Sequence, residues 1–192
     1  MIPYIVEFLN LKKISFCYYN TIIANQKAEF DEGRKIQISP YTLLWHNDTY
    51  YVAGNQENCD NISSYRIDRM KQVQVTSRDS RPFSEVSQYR GHFDTTDYVK
   101  KSFHMGQGKQ ERLVLRCSND LVETVTDRFG RNIELSCHDK NAFTIRVSVF
   151  VSDGLIEWLM QFGDRIVVLS PNCVKEKMIS QVKAMQSAYE IT

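Results

Sequence analysis

The residues best suited to chemistry form one short segment, Tyr65-Arg66-Ile67-Asp68-Arg69-Met70, which follows a hairpin that carries Tyr50-Tyr51. Arg66 and Arg69 lie on either side of a carboxylate, and a guanidinium group offers a planar fork that fits phosphate or carboxylate. Tyrosine rings add faces on which a base can stack. The segment therefore indicates an anion-binding cluster. The alternative is structural, with Asp68 pairing with an arginine to fix a corner of the fold.

Signatures of enzymatic chemistry are missing from the sequence. It contains no dinucleotide-binding glycine pattern, Walker loop, nucleophile elbow, zinc-protease pattern or EF-hand loop. The segment Gly106-Gln107-Gly108-Lys109 lacks the strand and helix that a phosphate loop requires, so we interpret it as a linker. We therefore expect no enzyme, no catalytic residue and no cofactor. An unrecognised hydrolase with a triad assembled from distant segments is the minor alternative.

The five cysteines and four histidines do not suggest a metal site. No two cysteines form a Cys-x-x-Cys pair, and the side chains of Cys137-His138 would point to opposite faces of a strand, so we expect no bound metal. An odd number of widely spaced cysteines, without a signal peptide, is typical of reduced thiols. We therefore expect the protein to be cytoplasmic.

The composition is that of an ordinary globular protein. Of the 192 residues, 42% are hydrophobic and 24% are charged, and 24 basic residues stand against 23 acidic ones. This excludes a disordered tail and a coiled-coil rod, and no run approaches the roughly 18 apolar residues of a membrane span. A net charge of +1 argues against a broad basic face for sequence-blind binding to nucleic acid.

The first part of the chain, residues 1–80, has the pattern of short strands. Apolar residues alternate from Ile14 to Tyr18, and further alternating runs follow, separated by polar turns. Five or six such strands predict a small β-barrel. A short helix with Ile5 and Leu9 on its buried side is predicted ahead of them.

One hairpin can be predicted residue by residue. Asn47-Asp48 suits a two-residue turn, because both residue types tolerate a positive φ. This turn pairs Trp45 with Tyr50 and Leu44 with Tyr51. Because directly paired residues share a face of a sheet, Tyr50 and Tyr51 are expected on opposite faces.

The rest of the chain has a different pattern. Residues 81–108 are predicted as a connector with one short helix. Residues 109–192 then follow the order β-α-β-β-α-β with a C-terminal helix, which is typical of a ferredoxin-like sandwich. Asp120 is the predicted cap of the first of these helices, and Ser152 or Asp153 begins the second. The predicted fold class is therefore α+β, a small barrel followed by a ferredoxin-like domain.

Three blocks of the sequence, residues 38–45, 49–53 and 65–70, resemble in order and spacing the WYL domain of bacterial transcriptional regulators. The Trp-Tyr-Leu tripeptide of that family corresponds to Tyr50-Tyr51-Val52, with its central tyrosine kept. Its Phe-Arg-Leu-Asp-Arg element corresponds to Tyr65-Arg66-Ile67-Asp68-Arg69, with both arginines and the aspartate present. The second half of the chain is similar to the WCX extension that commonly follows a WYL domain.

The resemblance implies a sensor whose Sm-like (SH3-type) barrel binds a nucleotide or nucleic-acid-type effector. Together with the arginine cluster, it indicates an anion-accepting pocket. The expected ligand-binding residues are Tyr41, His46, Tyr51, Tyr65, Arg66 and Arg69, with Ser39 and Asp68 in support. Ser63 and Ser64 stand where family members often carry another arginine, which argues against a strongly polyanionic ligand.

The resemblance also implies partners. WYL domains usually follow a winged helix-turn-helix that binds operator DNA, and this sequence does not include one. It is expected to be either the part after such a segment or a stand-alone single-stranded nucleic-acid-binding module. A homodimer is expected because twofold symmetry presents two half-sites. Trp158, Met160 and Met185 are candidates for that contact, and packing in the core is the alternative role for each.

Overall fold

The structure is a computed structural model that describes residues 12–106, 108–137 and 140–189. The chain divides into two compact units, one that ends at Thr95 and one that begins at Thr96. The helix predicted around Ile5 and Leu9 lies outside the described residues. Among the helices of the described residues, none has the length and apolar character needed to cross a membrane.

The described part of the first unit is built from antiparallel strands. These are β1 (Lys12–Tyr18), β2 (Thr21–Ala24), β3 (Lys27–Phe30), β4 (Arg34–His46), β5 (Thr49–Gln56), β6 (Ser63–Arg66) and β7 (Met70–Asp79). Five of them form a sheet of order β6-β5-β4-β1-β7, whereas β2 and β3 form a separate hairpin. The short strands predicted here are confirmed, and closure of the sheet into a barrel stays a prediction.

The core of the first unit lies on one face of the five-stranded sheet. Strand β1 contributes Ile14, Phe16 and Tyr18, and β4 contributes Ile36 and Ile38. Because successive side chains of a strand point to opposite faces, this spacing of two buries one side of each strand. The alternation in the sequence therefore identified the buried residues of β1 correctly.

In strand β4 the residues that face the core switch from even-numbered to odd-numbered positions at Tyr41. Its register against β5 shifts between Pro40 and Thr42, so that Tyr41 is an extra residue in the ladder. Because a bulge inserts one extra residue, each side chain after it lies on the face that alternation would have given to its neighbour. Ile38 faces the core before the bulge and Leu43 packs against the same core after it. Pro40 has no N–H for the ladder, which suits a bulge position.

The predicted hairpin is confirmed. Asn47-Asp48 forms the two-residue turn, with φ values of 46° and 55°. Trp45 pairs with Tyr50 and Leu44 pairs with Tyr51, in the predicted register. Tyr50 and Tyr51 therefore lie on opposite faces of the sheet.

The remaining elements begin with α1 (Thr95–Lys101), which contains the division between the units. The others are β8 (Lys109–Ser118), α2 (Val122–Phe129), β9 (Glu134–Cys137), β10 (Ala142–Val151), α3 (Asp153–Met160), β11 (Ile166–Ser170) and α4 (Asn172–Ala188). The strands form an antiparallel sheet of order β11-β8-β10-β9. The predicted element order β-α-β-β-α-β is confirmed, and the fold is α+β with antiparallel sheets.

The two predicted helix starts in the second unit have different outcomes. Ser152 caps α3, because its side chain accepts a hydrogen bond from the Leu155 N–H at 3.3 Å. The prediction for Asp120 was wrong. A short 3₁₀ turn over Asn119–Leu121 precedes α2, and the Asp120 carboxylate instead forms an ion pair with Arg165 at 3.0 Å. The extra turn displaces Asp120 from the cap position.

Candidate ligand-binding face

Three neighbouring strands bring Leu44, Tyr51 and Arg66 side by side. Leu44 on β4 pairs with Tyr51 on β5, and Tyr51 pairs with Arg66 on β6. Directly paired residues share a face of the sheet, with Cβ atoms roughly 4.5–5.5 Å apart. Two predicted ligand-binding residues are thus neighbours. We call these three residues, with the turn that follows Arg66, the Tyr51–Arg66 face.

The Arg66 guanidinium is oriented by a bidentate contact with Asp68. Its Nε donates to Asp68 Oδ1 at 3.1 Å, and its Nη2 donates to Oδ2 at 2.7 Å. This pair lowers the pKa of the Asp68 carboxyl and raises the pKa of Arg66. The side chains are 34% and 58% exposed, so both groups remain in contact with solvent. Asp68 therefore does contact an arginine, as predicted for a supporting residue.

Arg69 belongs to the 3₁₀ turn Ile67–Arg69, directly after β6. The turn is anchored through the Arg69 carbonyl, which accepts a hydrogen bond from the Tyr19 N–H at 3.1 Å. The Arg69 charge also lowers the pKa of Asp68, although less than the contact with Arg66 does. Arg66, Asp68 and Arg69 together carry two guanidinium groups and one carboxylate, a net charge of +1. The electrostatics of these three residues therefore favour an anion.

His46 lies on the same side of the sheet as Tyr51. It ends β4 and pairs with Thr49, two positions beyond the Leu44–Tyr51 pair. Since residues two apart on a strand share a face, the register places His46 next to Leu44 and diagonal to Tyr51. The structure thus brings His46 to the Tyr51–Arg66 face, as a peripheral member.

Tyr41 and Ser39 belong to a different cluster. The Tyr41 ring stacks on Phe93 at 6.4 Å and meets the edge of Phe83 at 6.0 Å. Loss of solvent raises the pKa of Tyr41 to about 12, and the charges that act on it are those of Arg81 and Glu85. Those that act on Arg66 come from Asp68, Tyr51 and Tyr18 instead.

Ser39 contacts that same second cluster. Its Oγ accepts a hydrogen bond from the Arg81 N–H at 2.9 Å. The structure does not place Tyr41 or Ser39 among the contacts of Arg66. The physical reason is distance along the strands: Ser39 pairs with Asn55, four residues along β5 from Tyr51, which is roughly 13 Å.

Tyr65 is part of the core. Its side chain is only 4% exposed, and its ring lies 5.5 Å from those of Phe16 and Tyr18. A ring enclosed in this way offers no face for a base. The proposed stacking role of Tyr65 is therefore wrong, because this strand residue points to the opposite side from Arg66.

Two exposed aromatic residues were not included among the predicted site residues. Trp45 and Tyr50 are 56% and 47% exposed, and their rings lie 4.5 Å apart at an angle of 61°. They form a cross-strand pair on the face opposite Tyr51. The predicted hairpin already placed them together, but it gave no reason to expect that they extend beyond the core.

Comparison with known proteins identifies two domains. The family model of the WYL domain matches residues 9–75, and that of the WCX domain matches residues 109–186. Among solved structures, the chain is similar to Proteasome accessory factor B/C (PafBC) of Arthrobacter aurescens, at 14% sequence identity and a TM-score of 0.39. That match covers 98% of this chain and 26% of PafBC. The comparison with curated proteins gives no significant match.

Proposed function

The chain belongs to the WYL-domain proteins, with a WYL domain followed by a WCX domain, and we propose that it is the ligand-sensing and dimerising regulatory module of a bacterial transcription regulator. Its effector is a nucleotide or a short single-stranded nucleic acid. Operator DNA is bound by a helix-turn-helix of the whole regulator, and the protein acts in the cytoplasm. Residues 1–80 form the sensor, 81–108 the connector and 109–192 the WCX domain.

The observation that carries this proposal is the oriented Arg66 fork beside Tyr51. Asp68 holds the guanidinium plane through two hydrogen bonds, and Arg66, Asp68 and Arg69 together keep a net positive charge. A phosphate can accept hydrogen bonds from Arg66 and Arg69, and a base or ribose can contact the Tyr51 ring and His46. Each charge-assisted hydrogen bond to a partly desolvated guanidinium contributes about 1.5–3 kcal/mol.

The near-neutral charge of the chain supports a sensor over a general nucleic-acid binder. Affinity without sequence preference depends mainly on many phosphate contacts. A net charge of +1 and a compact cluster of two arginines suit a short ligand with few phosphates. The effector is therefore expected to be small.

Dimerisation is proposed through the last helix, α4. Its exposed apolar residues Ile179, Val182 and Met185 recur at helical spacing, and the exposed Tyr189 directly follows the helix. Of the three candidates from the sequence, Trp158 and Met160 pack against the core of their own unit, whereas Met185 is about half exposed. Met185 is therefore the residue we assign to the contact.

The test is a titration of labelled hexathymidylate and of cyclic dinucleotides into the wild type, Arg66→Ala and Arg78→Ala. Arg78 is a matched control, because it is an exposed arginine of the same unit in an ion pair with Glu57 at 3.2 Å. Loss of the Arg66 contacts should weaken binding at least tenfold, while Arg78→Ala changes it less than threefold. Equal affinity of the wild type and a folded Arg66→Ala would mean that the arginine is structural.

The exposed Trp45–Tyr50 pair favours one alternative, a stand-alone single-stranded nucleic-acid-binding module. Stacking of bases on exposed rings contributes about 1–3 kcal/mol per base. In that case Trp45→Ala would weaken hexathymidylate binding more than Arg66→Ala does. The regulatory proposal expects the reverse order.

A further inference from the structure

The first unit contains a polar cavity near the end of strand β5 that lies away from Tyr51. Its volume is about 420 Å³. Asn55 lies in its wall, four residues along β5 from Tyr51, which is roughly 13 Å along the strand. The full lining is Lys13, Asn55, Glu57, Asn58, Asp79, Ser80, Arg81, Pro82 and Glu85. The cavity is therefore distinct from the Tyr51–Arg66 face.

One wall of the cavity is held by Asn55, which is only 2% exposed. Its Nδ2 donates hydrogen bonds to the carbonyl oxygens of Cys59 at 2.7 Å and Asn61 at 2.8 Å. Both amide hydrogens therefore fix the loop after β5. Asn58, at the tip of that loop, has a φ of 67°. A buried amide used in this way preorganises the loop.

Arg81 also lines the cavity and is held at several points. Its backbone N–H donates to Ser39 Oγ at 2.9 Å, its Nη1 donates to the Cys59 carbonyl at 3.3 Å, and its Nε donates to Glu85 at 3.1 Å. Beside it, the Ser80 hydroxyl is buried and makes no hydrogen bond within the described part of the chain. A buried hydroxyl without a partner is costly, and a ligand in the adjacent cavity can supply one.

The charges of the wall restrict the chemistry of that ligand. Two cationic residues and three carboxylates line the cavity, so a phosphate would meet repulsion. Opposite charges are adjacent, with Lys13 3.1 Å from Glu57 and Arg81 3.1 Å from Glu85. The Arg81–Glu85 pair is partly exposed, so its ions can exchange partners at little cost, whereas the Lys13 side chain is only 13% exposed. Apart from Pro82 and the stems of long side chains, the wall offers little apolar surface.

We propose that this cavity binds a small zwitterion of the free amino-acid class. The ligand carboxylate accepts hydrogen bonds from the Arg81 guanidinium and Lys13, and its ammonium group donates to Asp79 and Glu57. The Ser80 hydroxyl donates to the same carboxylate. The close spacing of opposite charges in an α-amino acid matches the close spacing of opposite charges in the wall.

The test is calorimetric titration of the whole chain with glycine, L-serine, L-glutamate and L-lysine, with acetate and methylamine as ligands that carry one charge each. The variants are Asp79→Asn, Arg81→Gln and the control Arg165→Gln, an exposed arginine of the second unit that pairs with Asp120 at 3.0 Å. Asp79 is 84% exposed, so its substitution keeps the fold even if that of Arg81 does not.

At least one amino acid should bind, and Arg81→Gln should weaken it at least tenfold. Asp79→Asn should weaken it about twofold to fivefold, because Asp79 is 84% exposed and also pairs with Lys12. Arg165→Gln should change its affinity less than twofold, and neither acetate nor methylamine should compete at equal concentration. The proposal is overturned if none of the four amino acids binds at 20 mM, or if a folded Asp79→Asn binds as the wild type does. Competition by acetate alone would also overturn it, since the site would then be a simple anion site.

Discussion

Removal of the Asp68 carboxylate should strengthen the binding of an anionic effector. Asp68→Asn keeps one oxygen that can accept a hydrogen bond from Arg66, but it raises the net charge of residues 66–69 from +1 to +2. A phosphate on Arg66 would lie roughly 7 Å from this carboxylate, and the 58% exposure of Asp68 puts the dielectric constant near that of water. The repulsion removed is then about 0.6 kcal/mol, which corresponds to roughly threefold tighter binding.

The assay is fluorescence anisotropy of labelled hexathymidylate at 0.1 M and 1 M salt. The gain should shrink at high salt, because the Debye length falls from about 10 Å to about 3 Å. Asp120→Asn is the matched control, since Asp120 is an equally exposed carboxylate paired with an arginine, but in the second unit. If Asp68→Asn leaves binding unchanged at both salt concentrations, with an unaltered unfolding midpoint, the phosphate does not bind beside this ion pair.

Three further predictions concern the fold. Burial raises the pKa of Tyr41 from an ordinary value of 10 to about 12, so the stability that depends on its neutral form is complete below pH 10 and is lost between pH 10 and 12. We therefore expect the free energy of unfolding, measured by urea titration, to fall less in Tyr41→Phe than in the wild type between pH 8 and pH 11. Leu115→Ala should lower the free energy of unfolding by about 2–5 kcal/mol, because Leu115 is fully buried. Leu169→Ala, at an exposed position of the same sheet, should lower it by less than about 1 kcal/mol. Similar losses for both variants would contradict the assigned core. Asp48→Gly should raise the free energy of unfolding by up to about 1 kcal/mol, and with it the midpoint of thermal unfolding, because glycine adopts the φ of 55° without strain. A lower midpoint would contradict the assigned turn.

The fold followed from the sequence wherever one local rule determined the outcome. The alternation from Ile14 to Tyr18 identified the buried side of β1, and Asn47-Asp48 determined the register of the hairpin. The order of strands and helices in the second unit followed from the spacing of apolar residues, which differs between strands and helices. In each of these cases the signal lies within about ten neighbouring residues.

The site residues were predicted less well, because the wrong assignments concern side chains whose positions depend on contacts between distant segments of the chain. A single bulge residue, Tyr41, reverses the parity of the second half of β4, and alternation alone cannot locate such a residue. Tyr65 is buried because β1 supplies Phe16 and Tyr18 on the same side. The partners of Arg81 come from three separate segments of the chain. Pro40 and Arg81-Pro82 were the only local signs of these features.

The central claim is that the Tyr51–Arg66 face receives an anionic effector, and the most direct test is a ¹H–¹⁵N correlation spectrum of the chain during titration with hexathymidylate. The account predicts that the backbone amides of Tyr51, Arg66 and Arg69 and the guanidinium Nε–H of Arg66 shift together, with one dissociation constant. Shifts confined to Trp45 and Tyr50, or to the second unit, with no change at Arg66, would contradict it.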